Sequence, residues 1–426
     1  MNTENIRGSQ PRSRYGVSKM RLKKAVSVLV MITFFLSSCQ TTGGNLSSLK
    51  IGPLTSSSFF KSEVNEPGVQ KPKLDVIIPV FDPGLPENPD EYEKAGIWPE
   101  LRRAEATRFA FKLKDALEQT GKFGAVRVTP DKNATGDLYI LGTIDESDGE
   151  NVEIDVEVIG VNGDVWMDTS FDHEVKESFH NDLRNDGKDP YNPIFEEAAT
   201  EIADELKYHK ADDLEDLQYI TTLRFGKSLS EEAFSQHMTE NGDEVQLVSK
   251  MSDEDTMLRR VKAMRTRDQL FVDSLQVNYA QFSEKMNDSY LMWQEQNLIE
   301  LKAKREAEVE AATQAVGGVL LIGLSVLAAV AGAQSNSYGT SAGAVVAGAA
   351  GAALISESFK TSEEAKVHRD ALNELGQSLD MELAPQVIKF EKETVKLTGD
   401  AKDQFQQWRK FLKKIYAQES TPDTRL

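Results

Sequence analysis

Between Glu310 and Glu357 the chain carries 46 consecutive residues without an Asp, Glu, Lys or Arg, although charged residues make up 28% of the 426-residue sequence. Such a run cannot stay solvated as an ordinary surface helix, because it has no polar face to turn to water. It must bury itself against lipid, another subunit or its own chain. An apolar limb opens it, from Ala315-Val316-Gly317-Gly318-Val319 through Gly323 to Val330, and a polar tip, Gln334-Ser335-Asn336-Ser337-Tyr338-Gly339, interrupts it. The run then resumes over residues 342–355 with small residues every fourth position: Gly343, Ala347, Gly351 and, beside them, Ala344, Gly348, Ala352. Small faces of this kind let helices approach until their backbones touch. Gly317, Gly318, Gly323, Gly343, Ala347, Gly348 and Gly351 are therefore the candidate packing residues of an antiparallel apolar hairpin.

Three environments for that hairpin stay open. The first limb has about the 19 apolar residues that a membrane span needs, while the second is short by the same measure. Packing between subunits accounts for the short limb and the small residues, and packing within one chain is the third choice. Neither limb has a flanking aromatic belt, yet the uncharged tip would cross a bilayer at little cost.

The tip divides the second half of the chain almost evenly, which predicts two long helical arms. In the outgoing arm three apolar tracks recur every eleven residues: Met264, Leu275, Met286; Phe271, Phe282, Trp293; and Tyr279, Tyr290, Leu301. Eleven residues per three turns keep one stripe on a nearly straight helix. The stripe needs a partner along its length, either in a compact bundle or in an extended coiled-coil arm. In the returning arm Leu372, Leu375, Leu379, Leu383, Phe390, Leu397, Phe405, Trp408 and Leu412 predict helix, with a break at Pro385.

Upstream the patterning changes. Residues 74–81 read as a buried strand, and Pro99 to Thr120 as a helix stopped by Gly121. Residues 125–128 and 138–144 follow as strands. Then Val152, Ile154, Val156 and Val158 alternate with Glu153, Asp155 and Glu157, the period-two mark of a strand with one wet face. Asn162-Gly163 predicts a two-residue turn into residues 165–171, and residues 194–208 close the unit as a helix. The order is β-α-β-β-β-β-α. Beyond Ala211 strand signals are lost.

At the amino terminus Arg21, Lys23 and Lys24 precede an apolar core over residues 25–35 and the run Leu36-Ser37-Ser38-Cys39. The core is too short for a stable span and has the layout of an export signal. The run resembles the lipobox of bacterial lipoproteins, which implies a diacylglycerol on Cys39 and removal of residues 1–38. Met20 would itself make a normal start for that signal. The resemblance also implies a membrane: in lipoproteins of this kind an aspartate after the cysteine retains the protein in the inner membrane. Gln40 stands there, so an outer-membrane lipoprotein facing the periplasm is expected. Residues 39–73, rich in Ser, Thr, Gly, Pro and Asn, read as a flexible tether.

A second resemblance rests on Gly136-Asp137-Leu138-Tyr139-Ile140-Leu141-Gly142-Thr143-Ile144, on Asn162-Gly163-Asp164-Val165-Trp166 and on Ile202-Ala203-Asp204-Glu205-Leu206. These residues are similar to the superfamily that contains the TolB amino-terminal domain, the curli secretion lipoprotein and the flagellar lipoprotein FlgO. That resemblance implies a small periplasmic α/β domain used for assembly contacts. It transfers no catalytic residue, and the long amphipathic hairpins with which the curli relative builds a membrane barrel have no counterpart here.

Charge and motifs narrow the function classes. The formal charge is -20, and removing seven basic residues and one acid with residues 1–38 takes it to -26, which argues against nucleic acid as a partner. Cys39 is the single cysteine, so once acylated it leaves no thiol for a disulfide, metal or nucleophile. His173, His180, His209, His237 and His368 form no metal-ligand pair, and the acidic turn over residues 145–150 lacks the spacing of a calcium loop. The expected fold is thus α+β: a lipid tether (39–73), a small α/β domain (74–209), then a helical region (210–426) forming a long antiparallel hairpin with its Gly/Ala-rich end at 311–356. The expected function is a non-enzymatic assembly component of an envelope complex. It would have no metal and no cofactor besides the lipid, and protein partners or copies of itself. The alternative is a membrane-inserting, channel-forming protein that uses the hairpin.

Overall fold

The computed structural model describes residues 70–92, 96–316, 363–377, 381, 383–390 and 393–420. Strands β1 (Val76–Pro79), β2 (Val126–Thr129), β3 (Leu138–Ser147), β4 (Asn151–Gly160) and β5 (Val165–Glu174) form one sheet in the order β2-β1-β3-β4-β5. β1 runs parallel to both neighbours, which requires a crossover, and helix α1 (Pro99–Thr120) supplies it between β1 and β2. β3, β4 and β5 continue as an antiparallel meander. Burial follows sequence pattern: every residue of β1 and β2 is buried, whereas along most of β4 buried positions alternate with wetter ones.

α1 starts on Pro99, whose missing N–H costs nothing at a helix start, and ends where Gly121 takes a left-handed φ of 64°. Helix α2 (Asn192–Glu205) packs beside it against β5, and α3 (Ala211–Leu229) follows. The element order through α2 is the one that the patterning predicts. The turn between β4 and β5 is longer than expected: residues 161–164 all lie outside the strands, and Gly163 has φ 89°.

Helix α4 (Thr256–Val316) is 61 residues long. Met264, Leu275, Met286 and Tyr290 are fully buried, Phe271, Tyr279, Phe282 and Trp293 are buried, and Leu301 is half-buried. Between the two settings open for this stripe, the structure shows packing into a core shared with the sheet, α1 and α3. Leu270 and Val277 on the other side of α4 remain exposed.

Two strand pairs correct the expectation of an all-helical second half. β6 (Met238–Asn241) and β7 (Glu244–Leu247) form a hairpin through Gly242, which has φ 67°. The return arm is likewise divided: α5 (Glu363–Leu375), a hairpin of β8 (Gln386–Phe390) and β9 (Glu393–Leu397), then α6 (Ala401–Ser420). Val387, Ile388, Thr394 and Val395 are β-branched and favour the pleated form, while Pro385 and Gly399, at φ 96°, stand at the two boundaries. The leucines at helical spacing overstated the helix because strand and helix periods are hard to separate over five-residue segments.

Cys39 and the candidate packing residues Gly317, Gly318, Gly323, Gly343, Ala347, Gly348 and Gly351 lie outside the described residues. α4 itself runs into the charge-free segment, and its described residues reach Val316. Among the described residues, no helix is long and apolar enough to cross a membrane.

The burial of α4 makes a direct prediction. Leu275→Ala, at a fully buried position, should lower the unfolding free energy by about 3 kcal/mol. Val277→Ala, close by on the exposed side, should change it by no more than about 0.5 kcal/mol, both read by urea denaturation.

Candidate functional site

The stripe on α4 is bordered by polar side chains that meet the α/β body at nearly every turn. Gln269 Nε2 donates to Asp75 at 2.9 Å, and Asp273 accepts from Arg127 Nε at 2.5 Å. Gln276 accepts from the N–H of Val128 and donates to its carbonyl, each at 2.9 Å, so an amide side chain takes the place of a further strand at the edge of β2. Farther along, Asn297 donates to the carbonyl of Asp148, Lys302 pairs with Glu177 at 2.9 Å and Arg305 pairs with Glu150 at 2.6 Å. Of the acidic run expected as a turn, residues 145–147 belong to β3, and residues 148–150 alone form the hairpin turn beneath this part of α4. Gly149 has φ 93° there, and a Cβ on it would lie 2.8 Å from Cβ of Asn297.

Where α4 crosses α1 the contacts become fully buried. Arg108, on α1, donates to Asp189 at 2.7 Å, to the carbonyl of Ser283 at 2.9 Å and to Asn287 at 3.0 Å. Asp189 also accepts from Gln294 at 3.2 Å and from the N–H of Tyr191 at 3.0 Å. Burial pushes the Asp189 carboxyl up, but Arg108, Lys112 and these hydrogen bonds outweigh it and hold the group below the usual carboxylate range.

One turn before Arg108, Glu105 is completely buried. Its Oε1 accepts from Ser147 Oγ at 2.6 Å and from Tyr290 Oη at 2.7 Å, which joins α1, β3 and α4 at one atom. Its Oε2 has no hydrogen-bond partner and lies 3.4 Å from Arg102 Nε. Arg102 is also occupied by the carbonyl of Ile144, at 3.2 Å. Burial raises the Glu105 pKa from 4.5 to about 7, against the opposing pull of Arg102, Ser147 and Tyr290. Burial, followed by the nearby Glu105 carboxylate, also raises Tyr191 and Tyr290 well above the ordinary tyrosine range, so both stay neutral donors.

A cavity opens beside Glu105, lined by Trp98, Arg102, Ser147, Asp148, Trp293 and Asn297 among others. It measures about 10 Å³ to the centre of a water, room for a single molecule. A carboxyl near neutrality beside so small a space can exchange a proton. It cannot seat an organic substrate. Trp98 also ties the site to α5, donating to Asn373 at 3.0 Å, while Gly376 at the end of that helix sits so close to Glu100 that a Cβ would fall 1.6 Å from its carbonyl oxygen.

Two further buried carboxylates hold other helices. Asp137 accepts from Thr221 of α3 at 2.6 Å and lies 3.5 Å from Arg265 of α4. Asp268 of α4 accepts from Trp408 at 3.1 Å and Arg409 at 2.7 Å, both on α6. Burial raises both carboxyls despite these partners. Among the described residues, no cluster of His, Cys, Asp or Glu has the geometry to hold a metal ion.

Nothing in the sequence singles out Arg102, Glu105 or Arg108. They recur every third position on α1, a spacing that ordinarily marks a solvated helix face. The face is dry because α4 lies on it. The chain matches no protein-family model, no curated protein and no solved structure.

Glu105 should impose a pH dependence on stability. Its folded pKa is raised, so its contribution is complete below about pH 4.5 and is lost as pH rises through about 7. The wild type should lose about 3 kcal/mol over that window relative to Glu105→Gln, as read by urea denaturation at pH 4.5 and pH 8. Arg108→Leu removes the 2.7 Å partner of the buried Asp189 and leaves it only Lys112 at 3.9 Å, which should cost about 3 kcal/mol, with Arg108→Leu/Asp189→Asn recovering part of the loss.

Proposed function

We propose that this chain is a lipid-anchored lipoprotein of the bacterial outer membrane that acts as a non-enzymatic assembly component of an envelope complex, such as a flagellar ring or a secretion or export machine. The lipobox at Cys39 and the similarity of residues 74–208 to the TolB, curli and FlgO group support the compartment and the class of role. The observation that carries the reading is the path of α4. It is fastened to the α/β body from Gln269 to Arg305 and continues to Val316, so it leads out of the body into the charge-free segment. The eleven residues past Arg305 extend about 16 Å at 1.5 Å per residue. The exposed side chains of Glu306 and Ala307, just past the last of these pairings, accord with a stem that leaves the core there. An antiparallel return through residues 311–356 would then present the small-residue face of Gly343, Ala347 and Gly351 to another subunit or partner.

The second reading is a membrane-inserting, oligomeric channel in which residues 315–355 cross a bilayer. The length of the first apolar limb favours it. A Cys39→Ser variant separates the two by fractionation: release into the soluble fraction supports the lipid as sole anchor and eliminates the spanning hairpin, whereas retention in the membrane eliminates the lipid as sole anchor. Ala347→Asp, read by size analysis in detergent, should dissociate an assembly built on the small-residue face. A monomeric wild type would remove the homo-oligomer.

A further inference from the structure

Two of the residues that line the water-sized cavity each carry a buried polar atom without a partner. Glu105 Oε2 is an acceptor with no donor, and Trp293 Nε1 is a donor with no acceptor, on residues 0% and 1% exposed. Leaving such atoms unsatisfied is costly, and a molecule that both donates and accepts would satisfy the two together. The indole N–H and the nearby Arg102 guanidinium disfavour a cation there, and the carboxyl disfavours an anion. A neutral hydrogen-bonding molecule the size of the cavity is water.

We propose that the cavity binds one water molecule between Trp293 Nε1 and Glu105 Oε2, and that this hydrated carboxyl is a proton-operated latch that holds α4 and α5 on the body when neutral and loosens them when ionised. The latch is independent of where the protein is anchored. When Glu105 is ionised the water donates to Oε2; when it is neutral, Oε1 accepts from Ser147 and Tyr290, and the water accepts both the acid proton on Oε2 and the indole N–H of Trp293. Ionisation puts a second negative charge into an interior that already holds Asp189. Asp189 engages Arg108, and Arg102 faces Asp145 and Glu146 as well as Glu105. The other titratable groups facing this region are Asp148 in the β3–β4 turn, Tyr191 before α2, Tyr290 on α4 and, on α5, His368 against Ser289 at 3.1 Å. Lifting α4 returns the carboxylate to water, so ionisation favours the open form. α5 follows because Trp98, a wall of the cavity, is hydrogen-bonded to Asn373.

The test is hydrogen–deuterium exchange of the full chain between pH 5 and pH 8, corrected for intrinsic rates and read in residues 286–300 of α4 and 363–375 of α5. The opening equilibrium should rise on the order of 50-fold, climbing to about pH 7 and levelling above it. Residues 211–229 of α3 serve as the reference and should lack that rise. Glu105→Gln should make both segments flat and slow. Tyr290→Phe removes a donor that favours the charged carboxylate, so its plateau should move to higher pH, a shift that loss of packing alone would not produce. A flat wild type, a rise that survives Glu105→Gln, or an unmoved plateau in Tyr290→Phe each overturns the latch. The water is read separately by nuclear Overhauser transfer to the Trp293 indole proton. Transfer from a long-lived water supports the hydration site, and its absence at pH 5 overturns it.

Discussion

The seating of α4 on the α/β body is the interaction on which the rest of the molecule depends. It supplies the second wall of the core beside α1, closes the exposed edge of β2 through Gln276, and provides the surface against which α5 and α6 pack. An apolar stripe alone would not fix its position. Because the tracks recur every eleven residues, sliding α4 by one repeat, about 16 Å, brings large apolar residues back onto similar places. The polar contacts remove that degeneracy. Asp273 with Arg127, Gln276 with Val128, Asn287 with Arg108 and Tyr290 with Glu105 can be made together in only one register. Buried polar groups are a poor source of net stability but a good source of uniqueness, and here the uniqueness is longitudinal.

That division of labour explains why so many carboxylates are buried in a chain with few basic residues to spare. Asp137, Asp189, Asp268 and Glu105 each bind two or more elements at once, and all four have a guanidinium within 3.5 Å. Glu105 differs because its hydrogen-bonding neighbours are neutral hydroxyls and its arginine is shared. The same burial that makes it a good register mark brings its proton into the physiological range. A structural contact therefore becomes responsive to pH without any added group.

The patterning in the sequence made much of the α/β body legible. The helix from Pro99 to Thr120, the alternation in β4 and the strand order along the chain were all local signals: a proline at a helix start, a glycine just past its end, and a period of two. The two small hairpins were not legible. Each strand of β6, β7, β8 and β9 is four or five residues long, too short for its period to stand out from the helical patterns around it. The Glu105 site was hidden for a different reason. Arg102, Glu105 and Arg108 are charged residues in helical register, and from one strand of text such a row describes a wet face.

The sequence by itself determined that a long helix with one continuous stripe had to find a partner, and that a charge-free segment followed it. Both are properties of spacing and composition, which are local. Tertiary structure alone decided that the partner is the chain's own α/β body, in which register α4 lies on it, and that Glu105 is dry. Burial is a property of two surfaces brought together from residues 105 and 290, far apart in the chain, and no local pattern contains it.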